Sequence, residues 1–197
     1  MNQFSIGLSD SIAASWGPKL IRKAEKKLKT IKLDMHVHRS TLVEENIKLG
    51  RYQLGLCISP SDDQQLVGEI ISEETMVLLQ CGFDPEMKSD KLITIEPNSA
   101  TWKVISEKVR NHPKLRNYQM VTVESFAAIV QMAQEGFGHG LVPIGVALTM
   151  GAPKKSIHLL IPTIKRPIKL ISRKNISLLP VIQDLIRILK ETSREMF

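Results

Sequence analysis

The sequence predicts an α/β protein built on a parallel sheet. Within its first 58 residues, three apolar strand patterns alternate with helix patterns, in the order strand, helix, strand, helix, strand. Parallel neighbours in a sheet need a crossover connection, and a helix is the usual one. The composition agrees, because 43% of the 197 residues are hydrophobic and 24% are charged, as in globular proteins with a sizeable core.

The elements of this first part follow from the spacing of its apolar residues. Residues 4–8 and 31–37 alternate apolar and polar side chains, as strands with one buried face do. Between them, apolar residues recur at every fourth position over 12–28, which predicts a helix that Gly17-Pro18 interrupts. A short helix then leads to a fully apolar strand at 54–58.

The remaining elements are predicted from the same two patterns, alternation for strands and helical spacing for helices. The predicted strands cover residues 66–71, 75–80, 92–95, 119–123, 157–161 and 168–171, and the predicted helices open after Ser99 and Ser125 and over 178–189. A tight turn at Glu73 and Glu74 is expected between the first two of these strands, because two charged residues separate two apolar runs.

A glycine-rich stretch, GFGHGLVP, runs from Gly136 to Pro143. Three glycines alternate there, and only glycine adopts a positive φ without steric cost. Such a backbone can bring its N–H groups close to a small ligand. No Lys-Ser/Thr pair follows, which excludes the phosphate loop of nucleotide hydrolases. A helix stop followed by a turn is the simpler interpretation, and it stays open.

Membrane and secretion signals do not appear in the sequence. No apolar run approaches the roughly 20 residues that a membrane-spanning helix needs. The N-terminus enters a strand pattern at once, without the charged and apolar regions of a signal peptide. Cys57 and Cys81 lie in apolar strand patterns and give no sign of a disulfide framework. We therefore expect a reduced, cytoplasmic protein with no membrane partner.

The order and spacing of these elements resemble the effector-binding domain of LysR-type transcriptional regulators. The segments that carry the resemblance are residues 4–11 with 18–21, residues 42–56 and residues 127–143. The last of them, a helix followed by a glycine pair and a Leu-Val-Pro ending, is the most similar to the family pattern. The sequence departs from that pattern at Gln53, where aspartate is usual, and at Arg39, where a small residue is common.

This resemblance implies a type 2 periplasmic-binding-protein-like fold, in which two Rossmann-like lobes are joined by two crossover strands. Mapped onto this sequence, the first lobe comprises residues 1–59 plus 163–197, and the second comprises residues 60–162. Full regulators of the family also carry an N-terminal winged helix-turn-helix, whereas residue 3 already begins the first strand here. We therefore expect no DNA-binding domain in this chain, and DNA contact only through that absent domain.

The function that the resemblance implies is small-molecule sensing and dimerisation. We expect a small carboxylate or amino-acid-like effector in the interlobe cleft, with no cofactor and no metal. The expected protein partner is a second copy, paired head to tail, with tetramers in the full-length form. Formal charges of +10 on the first predicted lobe and −3 on the second favour this pairing. The predicted dimer packs the 18–29 helix and the 31–37 strand against the partner's 99–110 helix.

The candidate site lies where parallel strands end and helices begin. Ligands of open α/β sheets bind at the carboxyl ends of the strands, and a helix N-terminus favours a small anion. The candidate residues are Ser9, Asp10, Ser11, Arg39, Ser40, Ser99 and Ser125 at such positions, and His139 in the glycine-rich stretch. The resemblance implies effector contacts at Ser11, Ser40 and the turn around Ser99. Simple N-capping is the alternative role of each serine.

Two groups of charged or polar side chains have further interpretations. Asp10 and Arg39 would offer opposite charges to the cleft, which suits a zwitterion such as an amino acid, unless their side chains point outward. Asp34, His36 and His38 fall on one face of the second predicted strand. Their spacing suits a tetrahedral zinc site poorly, so an exposed polar strand face is the preferred interpretation.

Two other functions are compatible with the predicted fold. A solute-binding protein of a transporter is the first alternative, and the lack of a signal peptide argues against it. A small enzyme that uses the same cleft is the second. No serine, histidine and acid show nucleophile spacing, and neither cysteine lies beside a base, so we expect no enzyme activity.

Overall fold

The structure, a computed structural model, describes residues 2–28, 31–59 and 63–196. Its strands are β1 (Asn2–Ser9), β2 (Ile31–His38), β3 (Leu54–Cys57), β4 (Leu66–Leu79), β5 (Lys91–Ile95), β6 (Gln119–Val123), β7 (His139–Pro143), β8 (Ile157–Leu159) and β9 (Lys165–Arg173). Its α-helices are α1 (Asp10–Ala13), α2 (Gly17–Lys27), α3 (Ser40–Lys48), α4 (Ala100–Asn111), α5 (Phe126–Gln134), α6 (Ile144–Thr149), α7 (Lys174–Ser177) and α8 (Pro180–Arg194). The predicted α/β class is confirmed.

The chain forms two compact units, Met1–Glu73 with Pro167–Phe197 and Glu74–Arg166. Both borders fall inside a strand, one in β4 and the other in β9. Two strands therefore carry the chain between the units, as the predicted architecture requires.

In the first unit, β1 lies between β2 and β3 and is parallel to both. β9 pairs antiparallel with β3, and the first half of β4 follows β9 in the strand order. The predicted break at Gly17-Pro18 is confirmed, because α1 ends at Ala13 and α2 begins at Gly17 with proline in its first turn. Leu20, Ile21 and Ala24 are buried on α2, while its basic residues lie on its other faces.

In the second unit, β5 lies between β6 and β7 and is parallel to both, while β7 is antiparallel to the second half of β4. β8 also pairs with β4. The core lies between this sheet and the apolar faces of α4 and α5. The core residues on these two helices are Trp102, Ile105, Val109, Ile129, Val130 and Ala133, and α6 adds Val146 and Ala147.

The glycine-rich stretch is a helix stop followed by a turn that leads into β7, in agreement with the simpler of its two interpretations. Gly136 has a φ of +82° just after α5, and of the three alternating glycines it alone has a positive φ. Gly140 lies inside β7, where a β-carbon would come within 3.0 Å of Ile129 on α5. Glycine is required here for helix termination and for close packing of a helix on a strand.

The predicted turn at Glu73 and Glu74 is wrong, because β4 runs without interruption from Leu66 to Leu79. Glu74 is only 5% exposed and pairs with Arg166, 92 residues further along the chain. A buried carboxylate that has its own cation is compatible with a strand interior. The local sequence around Glu74 does not show that partner.

The unit borders also differ from the predicted lobe boundaries. Residue 60, where the second lobe was expected to begin, lies outside the described residues. The segment from Asp63 to Glu73 belongs to the first unit, since Lys190 of α8 pairs with Glu69 and the Ser193 hydroxyl donates to the Ile71 carbonyl. With the observed borders, the formal charges are +4 for the first unit and +3 for the second. The predicted opposite charges of the two lobes are therefore wrong.

Candidate functional site

The carboxyl ends of β1, β2 and β3 meet at one edge of the first unit, which we call the first edge. Ser9 pairs with His38 in the β1–β2 register, and Leu8 pairs with Leu56 in the β1–β3 register. The chain leaves this edge into α1 after β1 and into α3 after β2. The structure thereby brings five of the eight predicted residues to one edge, namely Ser9, Asp10, Ser11, Arg39 and Ser40.

Ser9 has an unusual environment at the first edge. The residue is 4% exposed, and its hydroxyl oxygen has no hydrogen-bond partner among the described residues. Ser9 precedes α1 with an extended backbone, yet its side chain does not cap the helix. A buried hydroxyl without a partner costs about 1–3 kcal/mol. Ser9 therefore places unused hydrogen-bonding capacity among the predicted site residues.

Ser40 fixes the start of α3 to the end of β3, because its hydroxyl oxygen accepts a hydrogen bond from the Ile58 N–H at 3.3 Å. Arg39 directly precedes α3 and is exposed, as is Asp10 at the start of α1. Ser11 is buried, and its carbonyl accepts a hydrogen bond from the Ser15 hydroxyl at 2.6 Å. The first edge thus offers both an exposed cation and an exposed carboxylate.

The carboxyl ends of β5 and β6 meet in the same way in the second unit, at what we call the second edge. Ile95 pairs with Val123 at the ends of the two strands. Ser99 caps α4, because its oxygen accepts from the Trp102 N–H at 3.0 Å. Ser125 caps α5, because its oxygen accepts from the Ala128 N–H at 3.4 Å. Both serines therefore have the capping role, and both lie at a strand-end edge.

A buried ion pair joins the two ends of the second unit. The chain enters this unit at Glu74 and leaves it at Arg166. The guanidinium Nη2 and Nε of Arg166 donate to one carboxylate oxygen of Glu74 at 2.7 and 3.1 Å. The two side chains are 1% and 3% exposed. Because both side chains are shielded from water, each charge needs the other to offset its cost of desolvation.

The same ion pair contacts three helix starts. Arg166 Nη1 donates to the Thr101 hydroxyl in the first turn of α4 at 3.0 Å. Its guanidinium lies 5.3 Å from the ring of Phe126, the first residue of α5. The Glu74 carboxylate accepts from the Gly145 N–H in the first turn of α6 at 3.3 Å. Sequence reasoning missed this pair, because Glu74 follows Glu73 and Arg166 follows Lys165, so neither stands out from its neighbours as a buried charge.

His139 does not lie at the second edge. It begins β7 and pairs with Leu92 near the start of β5, at the opposite end of the parallel strands from Ser99. It is 6% exposed, its Nδ1 accepts from the Cys81 N–H at 3.2 Å, and its ring contacts Tyr118 edge to face. Burial lowers the pKa of the imidazole below its ordinary value. These contacts identify His139 as a neutral core residue.

The polar face of β2 is partly exposed, since the His36 and Asp34 side chains are 36% and 48% exposed, and Tyr52 packs against it. The His36 ring stacks on Tyr52 at 4.6 Å between centroids, and His38 Nε2 lies 2.7 Å from the Tyr52 hydroxyl. Asp34 lies 3.2 Å from His36. Within residues 2–28, 31–59 and 63–196, no cluster of three metal-ligating side chains occurs.

Solved structures with this fold include several regulatory domains. A mutant of the OxyR2 regulatory domain from Vibrio vulnificus has a TM-score of 0.79 at 13% identity, over 100% of this chain and 97% of that chain. The effector-binding domain of QuiR in complex with shikimate has a TM-score of 0.77 at 17% identity, over 100% and 99%. CbnR, a LysR family transcriptional regulator, has a TM-score of 0.75 at 15% identity, over 97% and 70%. The predicted type 2 periplasmic-binding-protein-like fold is confirmed.

One property of the helices and two sequence comparisons bear on the family of this chain. None of the described helices has the length and apolar character required to cross a membrane. Among curated protein sequences, none matches this chain. The family model of the LysR substrate-binding domain matches residues 1–194. This chain therefore belongs to the LysR substrate-binding domain family, whose members are the effector-binding domains of transcriptional regulators.

Proposed function

We propose that the chain senses a small carboxylate or amino-acid-like effector that binds at the first edge. The observation that carries this proposal is the buried, unpartnered hydroxyl of Ser9 among the other predicted site residues. A carboxylate oxygen can accept a hydrogen bond from that hydroxyl and thereby remove the cost of leaving it unpaired. Ser99 and Ser125 of the second edge are proposed as further contacts.

Charge supports an anionic group on this effector. Arg39 supplies a positive charge directly before α3, a nine-residue helix whose first N–H groups add a partial positive charge. Asp10 lies at the same edge and supplies the negative charge that an ammonium group would need. An α-amino acid carries a group of opposite charge for each of these two side chains, whereas a plain carboxylate carries one for Arg39 alone.

Thermal-shift screening followed by calorimetric titration tests the proposal. The panel contains the natural amino acids, small dicarboxylates and shikimate, the ligand of the QuiR domain. Arg39→Gln should weaken binding of the active compound about tenfold or more, because a charge-assisted hydrogen bond is lost. Lys32→Gln is the matched control, since Lys32 is an exposed cation near the opposite end of β2. Equal losses in both variants, or no binder in the panel, would contradict the proposal.

Ser9→Ala separates a binding role from a structural one. Removing an unpaired buried hydroxyl should leave the free energy of unfolding unchanged or raise it. The same substitution should weaken effector binding about fivefold. A variant that loses stability without losing affinity would show that the hydroxyl serves the fold alone.

The functional role is binding without turnover. The family model describes a LysR substrate-binding domain, and the compared structures of OxyR2 and QuiR are a regulatory domain and an effector-binding domain. The effector acts by its different affinity for two conformational states of the regulator, which shifts their populations. Proton spectra of the effector after long incubation with the chain should be unchanged, and appearance of a product would support the enzyme alternative.

We also propose a homodimer that uses β2 and α2, packed against α4 of the partner. β2 is the edge strand of its sheet, and Met35 and Val37 are 47% and 50% exposed. Lys29, the last residue of the predicted 18–29 helix, lies outside the described residues. The two units carry charge of the same sign, so the apolar edge rather than charge supports this pairing. Val37→Lys should yield monomers in sedimentation, whereas Leu148→Lys, at a similarly exposed residue of α6, should not.

A further inference from the structure

A groove of about 510 Å³ lies in the first unit, between α8 and the strands β4 and β9. Its strand side presents Val67, Leu170 and Ser172, and its helix side presents Ile186, Lys190 and Arg194. The residues on the helix side follow one stripe of α8, at helical spacings of three and four. None of the eight predicted effector-binding residues lines this groove, so it is separate from the first edge.

The contacts along β4 show which residues lie at each end of the groove and which lie in its middle. The Lys174 N–H donates to the Gln65 carbonyl at 3.0 Å, which places Ser172 near Val67 at the start of the groove. Glu69 pairs with Lys190 in the middle. The Ser193 hydroxyl donates to the Ile71 carbonyl, which places the end of α8 at the level of Ile71. Four residues of strand separate the two ends by about 13 Å.

The two ends of the groove differ in chemistry. At the first end, Leu178 and Ile186 lie near Ser172, whose buried hydroxyl has no hydrogen-bond partner among the described residues. At the other end lies Arg194, which pairs with no carboxylate of the described residues. The Lys190–Glu69 pair between them carries no net charge. The groove therefore offers a cationic anchor at one end and a neutral hydrogen-bonding anchor at the other.

The other charged groups around the groove are already neutralised. Arg187 is held between Asp184 at 3.1 Å and Glu191 at 3.3 Å. Among the described lining residues, Arg194 is the charged group that takes part in no ion pair, so an anion is preferred at its end of the groove. The stripe from Gln183 to Arg194 is about 16 Å long, so the groove is long enough to hold one extended chain.

From these features we infer that the groove binds a medium-chain carboxylic acid with an oxygen at its far end. The carboxylate lies at Arg194, the hydrocarbon chain lies along Leu170 and Ile186, and the terminal oxygen bonds the Ser172 hydroxyl. A ten-carbon ω-hydroxy acid has the required separation of its two polar ends.

Titration of 10-hydroxydecanoate into the ¹⁵N-labelled chain, followed by amide chemical shifts, tests the inference. Saturable shifts should map to the groove residues of β4, β9 and α8, below the micelle concentration of the acid. Decanoate should bind about two- to tenfold more weakly, because it lacks the terminal hydrogen bond. Shifts confined to other surfaces, or tighter binding of decyltrimethylammonium, would overturn the inference.

Three variants complete the test. Ser172→Ala should abolish the preference for 10-hydroxydecanoate over decanoate and leave the affinity for decanoate unchanged. Arg194→Gln should weaken both acids about tenfold, because the cationic anchor is lost. Arg22→Gln is the control, since Arg22 is an exposed arginine of the same unit outside the groove. A preference that survives Ser172→Ala, or an affinity that survives Arg194→Gln, would refute the proposed orientation of the ligand.

Discussion

Loss of one partner of the Arg166–Glu74 pair should destabilise the second unit strongly. In Glu74→Gln, the Arg166 guanidinium stays buried and charged while its two hydrogen bonds to a carboxylate become bonds to a neutral amide. Because the two side chains are 1% and 3% exposed, water cannot replace the lost charge. Breaking a buried pair in this way costs about 3–5 kcal/mol. The Gly145 N–H at the start of α6 also loses its charged acceptor, which adds to the cost.

The tryptophans provide a separate signal for each unit. Trp16 is buried in the first unit and Trp102 in the second, next to Thr101 of the Arg166 network. In a Trp16→Phe background, urea unfolding followed by fluorescence therefore reports the second unit through Trp102 alone. Glu74→Gln should lower its free energy of unfolding by about 3–5 kcal/mol. The mirror background, Trp102→Phe, should show little change in the first unit.

Two comparisons separate the buried pair from an ordinary surface pair. Replacing both partners by apolar residues, as in Glu74→Leu with Arg166→Met, should restore much of the stability, because no unpaired charge is left. Asp184→Asn removes an acid from the exposed pair with Arg187, where the side chains are 60% and 57% exposed, and should cost less than about 1 kcal/mol. If Glu74→Gln costs no more than Asp184→Asn, the reasoning about the buried pair is refuted.

Three other predictions use the same unfolding measurements. Gly140→Val should destabilise the second unit by about 1–3 kcal/mol, because its β-carbon meets Ile129, and a wild-type value would show that α5 can move away. Burial lowers the folded-state pKa of His139, so the second unit should lose stability as the pH falls below the unfolded value of about 6.5. His139→Asn should make the free energy of unfolding of this unit depend less steeply on pH in that range. An unchanged dependence would exclude His139 as its source. Burial raises the pKa of the Cys57 and Cys81 thiols, so a thiol reagent at pH 8 should modify them only at the rate of unfolding, and rapid labelling of the native chain would contradict their burial.

The elements that the sequence predicts well are those whose buried face shows in the spacing of apolar residues close together in the chain. Alternation over 31–37 and helical spacing over Trp102, Ile105 and Val109 each report a buried face directly, and β2 and α4 lie there. The helix α6 was not predicted, because its six residues carry no capping side chain and no polar face. Instead, the Gly145 N–H in its first turn donates to the carboxylate of Glu74, which lies 71 residues earlier in the chain.

The candidate site was partly predictable for a related reason. In parallel strands joined by helices, every carboxyl end falls at the same edge, so sequence order alone groups Ser9 with Ser40 and Ser99 with Ser125. The position of His139 depends instead on which end of β7 it occupies, and the glycine pattern does not specify this. The partner of Arg166 could not be found from local pattern, since its contacts join segments 65 and 92 residues apart.

Capping and effector binding are compatible roles for the same serine. A serine hydroxyl has two acceptor lone pairs and one hydrogen to donate. Ser40, Ser99 and Ser125 each use the oxygen to accept one backbone N–H, so the hydroxyl hydrogen can still be donated to an anion. The backbone bond also holds the side chain in one rotamer, which lowers the entropy lost when a ligand binds. In the proposed function, helix-starting serines at a strand-end edge serve stability and recognition together, whereas Ser9, whose side chain does not cap α1, has the recognition role alone.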